Sequence, residues 1–294
     1  MSAYKTPLRY PGGKQKLAPF VAELLSENGL EGADYAEPYA GGAGVAIELL
    51  LSGKASRIHL NDKCTAVYAF WRAILTKTDE FCRRIARASL TVEEWQRQRA
   101  IFANPRGHSQ LDLGFSLFFL NRCNRSGILS GGVIGGLKQQ GRWKIDARFP
   151  RNELIRRIEA IAARRKQIVV RNLDAEEFIL RYVSTLPSRT LVYCDPPYYH
   201  KADRLYLNHY AEADHERISR IVQNKLKRPW MVSYDCTPEV LANFSQRKKF
   251  IYSLQYNAGK AYKGAEVIIL SDRLRLPASS SVRFIDESLR QYSA

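Results

Sequence analysis

Asp195-Pro196-Pro197-Tyr198 follows the apolar run Leu191-Val192-Tyr193-Cys194. A strand ending at Cys194 puts the four residues at the carboxyl edge of a sheet, where open α/β sheets bind ligands. An acid next to a proline carbonyl offers two acceptors, which suits a planar amine such as the exocyclic amine of adenine. The lone pair of that amine is delocalised into the ring, so it is a poor nucleophile. One N–H held by the Asp195 carboxylate and one by the Pro196 carbonyl favour a more tetrahedral nitrogen and stabilise the positive charge that develops on attack. Proline fixes φ and has no N–H of its own, which helps aim the carbonyl. Tyr198 offers a ring on which an extruded base can stack. Were the electrophile an already activated methyl group, alignment would matter more than a strong general base. Taken alone, the tetrapeptide also fits a plain turn after a strand.

Three further groups have spacings of interest. Glu37-Pro38-Tyr39-Ala40-Gly41-Gly42-Ala43-Gly44 reads as a turn between a strand and a helix, and its glycines let the backbone approach a ligand at a helix N-terminus. It lacks the third glycine of G-x-G-x-x-G, and nowhere does the chain give a phosphate-binding G-x-x-x-x-G-K-[ST]. Asn61-Asp62 stands about twenty residues later at the end of a second strand, where an acid can hold the ribose hydroxyls of a nucleoside cofactor or merely cap the next helix. Tyr10-Pro11-Gly12-Gly13-Lys14 brackets a loop with an aromatic and a lysine, and by itself reads as an ordinary loop.

The elements that must position these groups alternate. Strands are expected at 34–37, 57–60, 168–171, 190–194, 230–234, 250–256 and 267–271. Helices are expected at 15–28, 45–52, 64–88, 111–120, 151–166 and 175–183, with a further one starting at the Thr91/Glu94 capping box. The β-α-β-α order predicts a doubly wound, Rossmann-like α/β sheet. It is interrupted between the second and third strands. The organisation expected is therefore a catalytic domain of residues 1–88 and 166–276, an inserted, mostly helical basic recognition domain at 89–165, and a tail at 277–294. The glycine-rich stretch 127–141 reads as a loop or hairpin within the insertion.

The chain carries a net charge of +17 over 294 residues. Residues 83–171, a stretch somewhat wider than the insertion, hold 19 Lys/Arg against 6 Asp/Glu and so carry +13 of the +17. Such a field favours polyanions, nucleic acid first, although solvated helix faces give the same count. The five cysteines show no C-x-x-C spacing, and no apolar run is long enough to span a bilayer. A cytoplasmic protein without metal or membrane partner is expected.

In order and spacing, the four groups resemble the Dam-type adenine-specific DNA methyltransferases over roughly residues 7–272. The resemblance implies S-adenosylmethionine as cofactor and double-stranded DNA as substrate. It also implies roles by position. Tyr10 and Lys14 would line the cofactor pocket, with Lys14 also near the target adenine. Glu37, Pro38 and Tyr39 would border the methionine part of the cofactor, Asp62 the ribose, and Leu173 and Asp174 its adenine, with Gly41 and Asp195 also at the cofactor. Asp195, Pro196 and Tyr198, with Lys14, would act on the flipped base. In the insertion, Asn121-Arg122-Cys123-Asn124-Arg125-Ser126-Gly127 is similar to the family's recognition segment, so DNA contacts are expected from Arg9, Arg122, Asn124, Arg125, Lys138, Arg142 and Lys144. Each arginine there could pair with a guanine edge or hold a phosphate. The insertion differs enough that the sequence GATC does not carry over. A restriction enzyme is a conceivable functional companion. The alternatives are a methyltransferase acting on RNA or another planar amide nitrogen, and a catalytically silent DNA-binding regulator. The tetrapeptide begins with Asp rather than Asn, and every expected catalytic position is filled, which disfavours both.

Overall fold

The computed structural model describes residues 5–9, 14–199, 210–253 and 265–278. Its frame is a seven-stranded sheet in the order β3-β2-β1-β4-β5-β7-β6. The strands are β1 (Asp34–Glu37), β2 (Arg57–Asn61), β3 (Ile168–Arg171), β4 (Leu191–Cys194), β5 (Trp230–Asp235), β6 (Lys248–Ser253) and β7 (Ala265–Leu270). The first five run parallel, while β7 runs antiparallel between β5 and β6. This is a Rossmann-like, doubly wound order with one reversed strand inserted near its edge. The chain direction across the sheet switches between β1 and β4, which pair through Tyr35–Leu191 and Ala36–Val192. The crevice at such a switch point is where ligands bind in open α/β sheets.

Alternate strand residues serve opposite faces. Tyr35, Leu191, Tyr193, Met231 and Ile268 pack into one apolar cluster. Ala36, Val192, Cys194, Val232 and Ile269 pack into the other. Covering the first face are α1 (Ala18–Glu27), α2 (Gly44–Leu51) and α3 (Thr65–Thr76). Covering the second are α8 (Ala175–Glu177), continued by a π turn Phe178–Tyr182, α9 (Glu212–Asn224) and the short α10 (Pro238–Asn243).

Between β2 and β3 lie α4 (Thr78–Arg87), α5 (Val92–Ala103), α6 (Gln110–Cys123) and α7 (Arg151–Ala162). Thr91 caps α5 through the N–H of Glu94, and a Ser109/Asp112 capping box starts α6. Helix α6 is apolar all round and almost wholly buried. It lies so close to α3 that a Cβ on Gly114 would sit 2.8 Å from the Ala69 backbone. Phe70 stacks on Phe118 at 6.0 Å, and Phe81 and Phe115 complete the cluster. The segment between β2 and β3 thus shares one core with the sheet domain.

Three local expectations change. The helix expected at 64–88 is two helices, broken where Lys77 leaves helical geometry. The helix at 175–183 widens into a π turn after its first turn. Residues 127–141 form no hairpin; one isolated bridge joins Asn124 to Val133, and turns fill the rest. Gly127, Gly135, Gly136 and Gln139 adopt positive φ there, which an extended strand cannot accommodate.

Candidate functional site

The carboxyl ends of β1 and β4 bring Glu37 and Asp195 to the switch point. Asp195 is held from β5, where the Ser233 hydroxyl donates to its Oδ1 at 2.6 Å. Ser233 is itself hydrogen-bonded to the Tyr193 hydroxyl at 2.7 Å. Burial pushes the Asp195 carboxyl up, and the nearby Lys14 ammonium opposes that shift. Lys14 enters from the 3-10 turn Lys14–Leu17. Its Nζ lies 2.7 Å from Glu266 Oε1, 3.4 Å from Asp195 Oδ1 and 3.3 Å from the Tyr198 hydroxyl. The Tyr198 hydroxyl donates to the same Glu266 oxygen at 2.6 Å. Tyr198 is buried, and Lys14 Nζ stands 5.1 Å from its ring centroid. The Tyr199 N–H donates to Asp235 at the end of β5, which pins the exit of the loop.

Along the same edge, Glu37 Oε1 accepts from the Ala46 N–H in the first turn of α2 and from the Tyr35 hydroxyl, both at 3.1 Å. Complete burial outweighs these bonds and raises its carboxyl to about 8. Asp62 Oδ2 accepts from the Gly41 N–H and Oδ1 from the Cys64 N–H, each at 2.9 Å. Burial lifts Asp62 to about 6. The glycine turn is braced from three sides: Trp71 Nε1 donates to the Gly41 carbonyl, the Thr6 hydroxyl to the Gly42 carbonyl, and Asn61 Nδ2 to the Pro38 carbonyl. Asn61 also exchanges hydrogen bonds with the Leu173 backbone. Tyr39 meets Tyr210 hydroxyl to hydroxyl at 2.9 Å. Asp174 caps α8 through the Glu176 N–H and pairs with Lys63 at 3.0 Å. Glu37, Pro38, Tyr39, Gly41, Asp62, Leu173, Asp174, Asp195 and Tyr198 therefore share one edge of the sheet with Lys14. Tyr10 lies outside the described residues.

The residues expected at DNA divide into two groups. Arg125, Lys138, Arg142 and Lys144 are exposed. Arg125 lines a groove of about 540 Å³ with Trp95, Arg99 and Leu137. Trp143 is 61% exposed, with the Arg142 guanidinium 5.5 Å from its ring. Two expectations are corrected. Asn124 is fully buried: it accepts from Trp95 Nε1 at 2.7 Å and donates to the Ile128 and Leu129 carbonyls. Arg122 is buried too, donating to the Arg148 and Pro7 carbonyls, and burial beside Arg9 and Arg157 lowers it to about 9. Both brace the segment from inside because α6 runs buried to its last turn. Arg9 is half-buried, and its backbone N–H and C=O pair with the Asn121 amide.

Sequence reasoning missed Glu266 and Ser233. Glu266 is a lone acid opening the apolar strand Ala265–Leu270, which is a visible signal. Ser233 has none, as a small polar residue inside a strand. Among the described residues, no cluster of His, Cys, Asp or Glu stands ready for a metal ion, and no helix is long and apolar enough to cross a membrane.

No curated protein sequence matches the chain. Among solved structures, the rRNA methyltransferase AviRa from Streptomyces viridochromogenes is similar at a TM-score of 0.38 and 12% identity, over 89% of this chain and 86% of that one. The model of the D12 class N6 adenine-specific DNA methyltransferases matches residues 10–263. With that match over most of its length, the chain belongs to the D12 class N6 adenine-specific DNA methyltransferase family.

Proposed function

We propose that this N6 adenine-specific DNA methyltransferase uses S-adenosylmethionine and works at the β1/β4 switch point, with Asp195 and Pro196 receiving the adenine amine. The observation that carries the reading is the placing of Asp195. It stands at the switch point, fixed by Ser233 and faced by Lys14, with its side chain 26% exposed and so reachable. The residues along the edge fit such a cofactor. Asp62 spends one lone pair of each oxygen on backbone N–H groups, which leaves further acceptor capacity for ribose hydroxyls. The glycine turn runs directly into the N-terminus of α2. Glu37, Pro38 and Tyr39 would border the amino-acid part, and Leu173 and Asp174 the adenine. The cofactor supplies, when bound, a methyl group activated on a sulfonium.

The protein's own part is alignment and charge. Asp195 would hold one amine hydrogen and the Pro196 carbonyl the other, which would leave the nitrogen lone pair free to take the methyl that the cofactor would supply. The Asp195 charge stabilises the cation that forms on nitrogen in the transition state. Tyr198 keeps its ring at the base position through its hydrogen bond to Glu266. The segment 89–165, with exposed Arg125, Lys138, Arg142 and Lys144, would hold the duplex, largely through phosphates. The test is to express the protein in a methylation-free bacterial host and sequence the DNA with modification-sensitive reads. N6-methyladenine at a defined site is expected. Unmodified DNA from a well-expressed protein would overturn the reading.

A further inference from the structure

We propose that Glu266 is a positioning residue for methyl transfer: by holding the Lys14 ammonium it stops that cation from closing on Asp195 and keeps the Asp195 carboxylate open to the target amine. This rests on the reading that Asp195 receives the amine. The place of Glu266 follows from topology. Because β7 is antiparallel, its first residues lie at the carboxyl edge of the parallel strands, and Glu266 stands in register with Asp235 at the end of β5. The residue is 4% exposed, in a strand otherwise apolar from Val267 to Leu270. An ionised carboxylate is costly there unless it is paired.

The pairing is lopsided in an informative way. Oε1 of Glu266 takes both Lys14 Nζ at 2.7 Å and the Tyr198 hydroxyl at 2.6 Å. Lys14 stands 3.4 Å from Asp195 Oδ1, beyond a close charge-assisted bond. Two acids thus compete for one lysine, and Glu266 holds it more closely. Oε2 of Glu266 is buried with no partner among the described residues. With both acids ionised and Lys14 protonated, the trio carries net −1, which suits a cationic methyl donor and a nitrogen that becomes cationic. Among the described residues, the other ionisable groups that feel the Asp195 charge are Glu37 and Tyr35 from β1, Tyr193 and Cys194 from β4 and Tyr234 from β5. Glu37, raised to about 8, is largely neutral at pH 7, and burial keeps the three tyrosines and the thiol protonated. If Glu266 loses its charge, Lys14 has reason to move onto Asp195, where it would occupy a lone pair that the amine needs.

The test is methyl transfer to duplex DNA across pH by the wild type, Glu266→Gln, Glu266→Asp, Lys14→Met and the Lys14→Met/Glu266→Gln double variant. Glu266→Gln should lower kcat by roughly 10- to 100-fold through misplacement at the reacting atoms. It should also move the acid limb of the kcat profile down by about one pH unit, because a negative neighbour is lost and a positive one comes closer to Asp195. Duplex affinity and its salt dependence should not change, since a buried acid contacts no phosphate. Glu266→Asp, which keeps the charge, should leave the acid limb where it is. In the Lys14→Met background, Glu266→Gln should cost less than about 3-fold, because coupled residues are not additive. An equal loss in both backgrounds, an acid limb that stays put in Glu266→Gln, or one that moves in Glu266→Asp would each overturn the proposal. A wild type that makes no N6-methyladenine would instead defeat the reading on which it rests.

Discussion

Asp195→Asn should separate activity from stability, moving them in opposite directions. The substitution keeps the shape of the side chain. Its amide oxygen can still accept from Ser233, as Asp195 Oδ1 does at 2.6 Å. The other position then becomes an NH2 group, so a donor faces the donor amine of the base. What is lost is a charged acceptor at the atom where positive charge develops. Removing one such group typically costs a factor of about 10² to 10³, or about 2.7–4 kcal/mol of transition-state stabilisation. Stability should respond otherwise. Burial raises the Asp195 carboxyl above its ordinary value, so the folded state binds its proton more tightly than the unfolded state does. The associated stability is fully present below the unfolded value and is lost as pH rises through the folded one. At neutral pH the ionised carboxylate is thus a net cost, which asparagine removes, while Lys14 keeps Glu266 as a partner. Single-turnover methyl transfer and thermal unfolding from pH 5 to 8 test both halves. Transfer should fall by about 10² to 10³, while Tm at pH 7.5 stays equal or rises, and the Tm difference should shrink toward pH 5. Activity within tenfold of wild type would remove Asp195 as the main acceptor. A lower Tm would mean that the loss of activity reports damage to the fold.

Donor binding should release protons from Glu37. With its carboxyl at about 8, it is mostly protonated at pH 7.5, and a cationic ligand beside it favours the ionised form, releasing about half a proton. Calorimetry in two buffers of different ionisation enthalpy measures this. An apparent enthalpy that does not depend on the buffer, or one still buffer-dependent in Glu37→Gln, would sink the idea. The two groups of insertion residues should also part. Asn124→Ala takes the hydrogen-bond partner from the Trp95 indole N–H and the side-chain donor from the Leu129 carbonyl, while the Ile128 carbonyl keeps the Gly131 N–H, at a cost of roughly 2–4 kcal/mol, with little change in the salt slope of DNA binding. Arg142→Glu with Lys144→Glu should leave Tm alone and reduce that slope by about 0.9 for each phosphate no longer neutralised. The reverse pattern would put Asn124 at the DNA after all.

The strands and the edge they share were legible because each signal is local. An apolar run followed by Asp-Pro-Pro-Tyr, and a strand followed by Glu-Pro-Tyr and a glycine turn, carry their own boundaries. Their meeting was legible too, since a doubly wound order brings the ends of β1 and β4 together. Glu266 was not, because sequence order gives no hint that β7 slips between β5 and β6 in reverse. That reversal alone brings the start of the strand to the carboxyl edge of the parallel strands. Asn124 and Arg122 misled for a different reason. Polar residues beside a glycine-rich loop look like surface. Here the apolar helix α6 continues through Cys123 and carries them into the core, where carbonyls freed by irregular backbone need donors. The glycines that suggested a hairpin supply positive φ to turns instead.

The electrostatics of the molecule divide along the same line. The net charge of +17 is concentrated in the segment between β2 and β3, and its exposed cations act through water, where salt screens them. At the carboxyl edge of the sheet the charges are few, largely buried and mutually opposed: Lys14 sits between Asp195 and Glu266, and Glu37 is held largely neutral. Buried charges act at short range in a low dielectric, so small displacements there outweigh the diffuse field of the surface. The two regions nevertheless share one core through α3 and α6. A shared apolar core transmits position rather than charge. On the proposed reading, in which the exposed loop meets the duplex, its basic residues can change without disturbing the three-charge balance at Asp195. Changes to the Phe70/Phe118 stack, by contrast, should disturb DNA docking and chemistry together.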